Sequence, residues 1–218
     1  MNAPTWAVIP SDGRPYLADC LSSLSGQVDG IVVVANGPLR ESGVPGTVTV
    51  EDTGTDRNIS RWWNLGLAAV EHEAQRVRAP RWNALVVNDD IIAPPNLAIS
   101  LAAALRSTGA ALAYPSQHDN EARLHTEAAP VPLEHRITGY AWMLRGETQL
   151  RADETLVWWY GDDDLDWRAR TAGGAALVPG CAVEHRAPNG YTTAFPELAG
   201  QAGRDRATFI TKWQQAPH

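Results

Sequence analysis

The feature that most constrains the fold is a regular order of short apolar runs with helical patterns between them. Apolar runs at residues 5–9, 31–34 and 84–87 each stop at a polar or turn-forming cluster, and a weaker run covers residues 47–50. Short runs that are apolar throughout are typical of strands buried on both faces. Because apolar residues recur at helical spacing between them, the order predicts an α/β fold with a mostly parallel sheet and helices on both faces.

The second half of the chain has weaker signals. Strand-like character returns at residues 139–144, and short strands are expected at residues 175–178 and 181–184. A helix should begin in the aspartate run that follows Tyr160 and end at Gly173-Gly174. In the first half, Asp56 or Asn58 could cap the helix that precedes the fourth strand.

Polar residues directly follow three of the predicted strands. They are Ser11-Asp12, Asn36-Gly37 and Asn88-Asp89-Asp90. The carboxyl ends of parallel strands meet at one edge of a sheet, which is where ligands of such folds bind. Carboxylate and amide oxygens suit Mg²⁺ or Mn²⁺, so the last motif is a candidate metal site, although a solvated turn explains a lone motif equally well.

A second acidic cluster lies at the predicted helix start. Asp162, Asp163 and Asp164 would be held ionised there by the helix macrodipole, and one aimed into a cleft can accept a proton from a substrate hydroxyl. At least one of the four aspartates in residues 162–166 is expected to serve only in capping or on a solvated face. His185 follows a short strand and could complete a metal site, which would favour Mn²⁺ over Mg²⁺.

Composition excludes several classes of function. The chain has 218 residues, a formal net charge of -7 and no long basic run, so nucleic acid is not an expected partner. No stretch approaches the roughly 18 apolar residues of a membrane span, and residues 1–10 do not resemble a signal peptide. The two cysteines show no metal or disulfide spacing. We therefore expect a single cytoplasmic domain over residues 1–218.

An ordered set of motifs extends over about a full domain length. Its members are Pro10, Tyr16-Leu17, Cys20-Leu21, residues 32–37, Asn58, Arg61, Asn64, Gly66, Asn88-Asp89-Asp90 and residues 161–168. The set resembles family 2 glycosyltransferases and the wider group of enzymes with the GT-A nucleotide-sugar fold. This resemblance implies a Rossmann-like sheet flanked by helices, with a smaller mixed sheet on the acceptor side.

The resemblance also implies that different segments of the chain have different functions. Residues 1–115 would bind the nucleotide-sugar, residues 116–136 would form a mobile loop over it, and residues 137–218 would carry the acceptor side and the catalytic base. The donor would be a UDP-, GDP- or dTDP-sugar, and the acceptor a hydroxyl of a glycan, lipid, protein or small molecule. Transfer would be metal-dependent, by single displacement with inversion at the anomeric carbon.

Individual roles follow from the same resemblance. The implied donor contacts are Pro10, Asp12, Asn36, Asn58, Arg61, Asn64 and Asp89. Asp90 and His185 would bind the Mn²⁺ or Mg²⁺ ion, and residues 159–164 look like the acceptor-side segment of metal-dependent galactosyltransferases. There Asp162 matches the catalytic base, with Asp163 as the other candidate.

Tryptophan is abundant near the proposed acceptor side. Trp142, Trp158 and Trp159 could stack on the apolar face of a sugar, and alternation along an extended segment would turn one of the last two inward.

Two departures from the family pattern keep another function open. Asn88 stands where the usual Asp-x-Asp motif begins, and Gly161 replaces the usual glutamate before the base. A catalytically inactive module that binds a sugar nucleotide or a glycan is therefore the alternative. A sugar-phosphate nucleotidyltransferase is disfavoured because residues 10–15 are a poor match to its glycine-rich loop. A dinucleotide oxidoreductase is disfavoured because no Gly-x-Gly-x-x-Gly follows a strand.

Overall fold

The computed structural model describes residues 3–37, 47–118, 121–188 and 190–217. Its strands are β1 (Thr5–Ser11), β2 (Gly30–Ala35), β3 (Thr47–Glu51), β4 (Asn83–Val87), β5 (Ile91–Ile92), β6 (Leu112–Pro115), β7 (Arg123–His125), β8 (Ala141–Arg145), β9 (Ala175–Val178) and β10 (Glu184–His185). Its helices are α1 (Leu17–Leu24), α2 (Ile59–Arg76), α3 (Leu97–Thr108), α4 (Gly161–Thr171), α5 (Gly190–Ala194) and α6 (Glu197–Trp213).

Eight strands form one sheet in the order β3-β2-β1-β4-β8-β6-β9-β7. The first four pair in parallel, as do β6 and β9, whereas β8 is antiparallel to both of its neighbours and β7 is antiparallel to β9. The predicted α/β class and the mostly parallel sheet are confirmed. The smaller sheet consists of the antiparallel pair β5 and β10, so it is not mixed.

The central strands of the sheet are buried on both faces, which explains why they are mostly apolar, whereas the edge strands β3 and β7 are largely exposed. Successive side chains of a strand point to opposite faces. Ala7 and Ile9 of β1 therefore pack into the core beneath α1 and α3, whereas Trp6 and Val8 pack into the core beneath α2. Polar groups for a site can enter this sheet at strand ends without disturbing either core.

The main departures from expectation lie in the second half. Residues 156–160, expected to be extended, form an irregular segment that ends at Tyr160 with φ 62°, and the strand expected at residues 181–184 is reduced to β10. The strand β6 was not predicted. The predicted mobile loop at residues 116–136 contains β7 and a short 3₁₀ helix at Leu133–His135, and its residues 119 and 120 lie outside the described residues.

Helix ends follow the sequence signals. Of the two candidate caps, Asn58 is the N-cap of α2, where its Oδ1 atom accepts a hydrogen bond of 3.0 Å from the N–H of Arg61. Helix α4 ends before Gly173 and Gly174, which adopt φ values of 140° and 110° that favour glycine. In the described ranges, no helix combines the length and the apolar character needed to cross a bilayer.

Helix α2 packs so closely on β1 that one position requires glycine. A Cβ atom added at Gly66 would lie 2.1 Å from Cγ1 of Val8. We expect Gly66→Ala to lower the free energy of unfolding by about 1–3 kcal/mol through overpacking. Urea denaturation measures this change.

Gly200 of α6 provides the matched control, because no atom lies within 4 Å of a Cβ added there. Gly200→Ala should stabilise the protein by up to about 1 kcal/mol through helix propensity. Equal effects of the two substitutions would contradict the close packing at Gly66.

Candidate functional site

A cleft of about 400 Å³ lies at the edge of the sheet where the parallel strands end. Strands β1, β2 and β4 contribute their last residues or the loops that follow. The opposite wall comes from the segment before β8, the segment before α4, and the residues around β10 and α5. Its polar lining residues include Ser11, Asp12, Arg14, Asn36, Asn88, Asp89, Asp90, Arg136, Asp162 and His185.

The end of β1 is tied to the loop after β4 by a hydrogen bond. Ser11 Oγ donates to Asp89 Oδ2 at 2.6 Å and accepts from the N–H of Gly13 at 3.1 Å. Burial raises the pKa of Asp89 to about 6, although the Ser11 hydrogen bond opposes the rise. Beside them, Asp12 is paired with Arg14 at 3.1 Å. This wall is therefore polar and largely fixed before any ligand arrives.

Asn36 offers an acceptor on the same wall. Its Oδ1 atom is buried and accepts no hydrogen bond from the described residues. Buried polar atoms are almost always paired, so an unpaired one in a cleft is a candidate contact for a ligand N–H or O–H.

The small sheet brings His185 to Asp90. His185 pairs with Ile91, and this pairing places its Nε2 atom 3.2 Å from Oδ1 of Asp90. The ring of Tyr140 stacks on the imidazole with centroids 4.4 Å apart, which fixes its orientation. The N–H of Arg186 donates to the Asp90 carbonyl oxygen at 2.9 Å and secures the backbone.

The Asp90 and His185 pair fits a divalent cation. The Oδ1 atom of Asp90 is buried, and apart from this 3.2 Å contact with His185 it has no polar partner in the described part of the chain. One carboxylate oxygen and one imidazole nitrogen are a donor set that suits Mn²⁺. No group of three acidic, histidine or cysteine side chains with metal-binding geometry occurs within residues 3–37, 47–118, 121–188 and 190–217. Phosphate oxygens and water would have to complete the coordination.

The three aspartates at the start of α4 have three different environments. Asp163 is 2% exposed and receives two hydrogen bonds from the guanidinium of Arg136. Asp164 is fully buried and is bound by Arg168 at 2.8 Å and by Trp213 Nε1 at 2.9 Å. Of these three, Asp162 is the one that lines the cleft.

The Asp162 carboxyl group has an unusual proton affinity. Burial and the neighbouring charge of Asp163 raise its pKa to about 7, and the nearby Arg136 charge opposes this rise. Gly139 faces it so closely that a Cβ atom added there would lie 3.1 Å from its Oδ2 atom. A carboxylate that titrates near neutral pH is suited to proton transfer.

An aromatic wall closes the side of the cleft next to α4. Trp158 stacks on Tyr191 with ring centroids 4.7 Å apart, and Trp62 contacts Trp158 edge-on at 5.7 Å. The Arg14 guanidinium covers Tyr191 at 4.4 Å. Trp158 and Trp159 both line the cleft, and Trp158 also packs against the core beneath α2.

A buried aspartate of α6 explains the conformation of this wall. Asp205 is fully buried, and its carboxylate accepts hydrogen bonds from the N–H groups of Val157, Trp158 and Trp159 at 3.2, 2.8 and 2.9 Å. Successive N–H groups that converge on one carboxylate cannot alternate as in a strand. The indole N–H of Trp159 adds a bond of 2.8 Å to the Leu198 carbonyl oxygen.

Four predicted site residues lie away from the cleft. Asn58 is buried as the α2 cap and donates to the Glu154 carbonyl oxygen at 2.9 Å, and Asn64 exchanges hydrogen bonds with the Ala152 backbone. Arg61 is paired with Asp52 and Asp56, and Trp142 is fully buried in β8 against Trp63. Their polar or aromatic groups are already engaged inside the protein, so the structure does not bring them to a ligand.

The structure adds cleft residues that sequence reasoning missed. They are Arg14, Arg136, Gly139, Tyr140 and Tyr191. None belongs to a strand-end acidic motif, and Arg136 lies in a segment without periodicity. Each of them meets a residue far away in sequence: Arg14 contacts Tyr191, Arg136 binds Asp163, Gly139 faces Asp162 and Tyr140 stacks on His185.

Loss of the Asp205 carboxylate should loosen the aromatic wall. Asp205→Ala leaves partly buried N–H groups unpaired, so we expect the free energy of unfolding to fall by about 2–4 kcal/mol. Hydrogen exchange at residues 157–159 should become faster. Asp56→Ala is the control, since its side chain is 67% exposed and surface ion pairs contribute less than about 1 kcal/mol. Unchanged exchange at residues 157–159 would contradict the assigned role.

No protein-family model and no curated protein matches this sequence. Solved structures do share its fold. Residues 1–349 of S. aureus TarS superpose with a TM-score of 0.60 and 12% identity, covering 91% of this chain and 65% of that one. The same protein in complex with UDP superposes with a TM-score of 0.62 and 12% identity, covering 83% of this chain and 59% of that one. GalNAc-T7 with UDP, GalNAc and Mn²⁺ superposes with a TM-score of 0.56 and 11% identity, covering 84% of this chain and 44% of that one.

The chain thus spans between 44% and 65% of the lengths of these three structures. At such low identity the similarity concerns the fold. In TarS and GalNAc-T7 that fold is the nucleotide-sugar-binding fold of glycosyltransferases, and their UDP complexes agree with this. The chain described here has the GT-A glycosyltransferase fold.

Proposed function

We propose that the protein is a metal-dependent glycosyltransferase that moves a sugar from a nucleoside diphosphate donor to a hydroxyl acceptor with inversion. The observation that carries the proposal is the set of residues that line one cleft of a GT-A fold. That cleft is lined both by Asp162, a carboxylate that titrates near neutral pH, and by the Asp90 and His185 pair. In this proposal residues 1–115 supply the donor side and residues 137–218 the acceptor side.

The favoured donor is a UDP-sugar. Two TarS structures contain UDP or UDP-GlcNAc, and the GalNAc-T7 structure contains UDP. In the proposal Pro10, Asp12 and Asn36 contact the base and ribose, and the unpaired Oδ1 of Asn36 accepts a ligand N–H or O–H. Asp89 then contacts the ribose or the sugar.

Asp90 and His185 would hold the divalent cation, for which Mn²⁺ fits the donor set better than Mg²⁺. When bound, such an ion neutralises the negative charge that develops on the leaving diphosphate. Tyr140 orients the imidazole by stacking on it. The presence of Mn²⁺ in the GalNAc-T7 structure supports this part of the proposal.

Asp162 would act as the general base. The acceptor oxygen forms a bond to the anomeric carbon while the bond from that carbon to the diphosphate oxygen breaks. The acceptor proton passes to the Asp162 carboxylate. Asp163 is a weaker candidate for this role because both of its oxygens are bound by Arg136. Trp158 and Trp159 flank the position where the acceptor would lie.

Binding without turnover is the second candidate function. Asn88 replaces the first carboxylate of the usual motif and lines the cleft, with its N–H bonded to the Tyr140 carbonyl oxygen at 3.1 Å. A binding module would be stabilised by the sugar nucleotide and would transfer no sugar. The two experiments below separate these functions.

Donor binding is tested by thermal shift with UDP-, GDP- and dTDP-sugars, each with and without Mn²⁺. At 100 times its Kd a ligand adds about 2.7 kcal/mol of stability, which corresponds to a rise in Tm of about 5–10 °C for a domain of this size. We expect the rise with a UDP-sugar and Mn²⁺. Asp90→Ala should remove its Mn²⁺-dependent part.

The control for this screen is Glu184→Gln, because Glu184 adjoins His185 but its side chain is 64% exposed. It should leave the shift unchanged. An Asp90→Ala variant with a full Mn²⁺-dependent shift would overturn the metal assignment, and no shift with any nucleotide would overturn donor binding.

Catalysis is tested by Asp162→Asn, which keeps the shape of the side chain and removes the base. We expect kcat/KM for transfer to fall by about 10²–10⁴-fold while donor binding persists. In the unmodified protein the rate should fall as the pH is lowered through about 7, since the protonated carboxyl cannot accept a proton. Asp56→Asn, at an exposed carboxylate, should retain full activity. Retained transfer in the Asp162 variant would move the base elsewhere.

A further inference from the structure

An ion pair lies directly behind Asp162. The guanidinium of Arg136 donates from Nε to Oδ1 of Asp163 at 2.6 Å and from Nη2 to Oδ2 of the same carboxylate. The Asp163 side chain is 3% exposed, and that of Arg136 is 21% exposed. Two parallel hydrogen bonds from one guanidinium fix both the position and the charge of a carboxylate. Asp163 is therefore fixed next to Asp162, with both of its carboxylate oxygens bound by the guanidinium.

The charged groups around this pair come from several elements. Helix α4 itself carries Asp162, Asp163, Asp164 and Asp166. The Asp164 carboxylate is bound by Arg168 at 2.8 Å, and that of Asp166 by Arg170 at 2.5 Å. Arg136 reaches α4 from the segment before β8 and faces Asp162 as well as Asp163. Tyr160 at the N-cap also faces Arg136, and Tyr114 of β6 lies near Asp163 and Asp166.

Arg136 is held in place independently of α4. Its N–H donates to the Leu133 carbonyl oxygen at 3.2 Å, and the Tyr114 hydroxyl donates to the His135 carbonyl oxygen at 2.9 Å. The next residue, Ile137, is 3% exposed in the core. The sheet thus anchors the turn that carries Arg136. Through its guanidinium, Arg136 connects this turn to α4, the helix that carries the proposed base.

We propose that Arg136 is a positioning residue that holds Asp163 charged and out of the reaction, so that Asp162 alone takes the proton of the acceptor. This inference rests on the proposed function, because it assigns how the proton acceptor of that reaction is selected. In this role Arg136 acts through Asp162 and Asp163. The pair acts by charge: Asp163 disfavours ionisation of Asp162, and Arg136 favours it.

Removing one member of the pair should therefore shift the pH at which Asp162 loses its proton in the opposite direction to removing the other. Asp163→Asn removes the repulsive charge and leaves Arg136, so Asp162 should lose its proton at lower pH. Arg136→Gln leaves two adjacent carboxylates without a counter-charge, so the two should retain a shared proton to higher pH. A purely structural pair would give loss of activity in both variants with no change in the pH profile.

The experiment is the pH dependence of kcat/KM for sugar transfer in the unmodified protein and these variants. We expect the acidic limb to move down by roughly one pH unit or more in Asp163→Asn and up by a similar amount in Arg136→Gln. Arg136→Lys retains the charge but not the two-pronged contact, so its limb should stay near the original pH while kcat falls. Shifts in the same direction, or no shift in either variant, would overturn the proposal.

A second readout separates this inference from the proposed function. Titration of the Asp162 carboxyl carbon by ¹³C NMR in the same variants needs no substrate and should show the same opposite shifts. Transfer that is absent from the unmodified protein with every donor would reject the proposed function, while opposite NMR shifts would still support the coupling. If Arg136→Gln does not fold, Asp163→Asn decides alone: a downward shift supports the coupling, and an unchanged titration overturns it.

Discussion

Burial of the central sheet on both faces is the constraint on which the rest of the structure depends. Because β1 has one helix layer on each side, its side chains alternate between two apolar cores, and only its last residues, Pro10 and Ser11, line the cleft. The same holds for β2 and β4. Polar groups accumulate where the strands stop, and the parallel arrangement gathers them at one edge. The cleft is a consequence of that arrangement.

The second wall is held by buried polar contacts between residues far apart in the chain. Asp205 of the last long helix accepts the N–H groups before α4, and Trp213 of the same helix reaches Asp164. Tyr114 and Arg136 hold the other side of α4. The buried carboxylates of Asp163, Asp164 and Asp205 have donors that offset the loss of hydration. Asp162 is less well compensated, and it faces the cleft.

Different carboxylates in one small volume thus acquire different properties. Burial raises the pKa of both Asp89 and Asp162, whereas Asp163 is paired with a guanidinium and Asp90 faces an imidazole. Identical side chains are distinguished here by which donors reach them. This arrangement supports the proposed separation between a metal-binding carboxylate and a proton-accepting one, and it allows an arginine outside the reaction to influence the choice of base.

The sequence by itself determined the fold class, the strands of the first half, the cap at Asn58 and the end of α4, because these depend on local periodicity, capping and glycine. It also predicted Asp90, Asp162 and His185 as site residues, and all three line one cleft in the structure. Only the tertiary structure decided that Arg61, like the side chains of Asn64 and Trp142, is engaged elsewhere, and that Arg136 stands behind the aspartates. Such assignments depend on which distant residues satisfy each buried polar group, and no local pattern encodes that pairing.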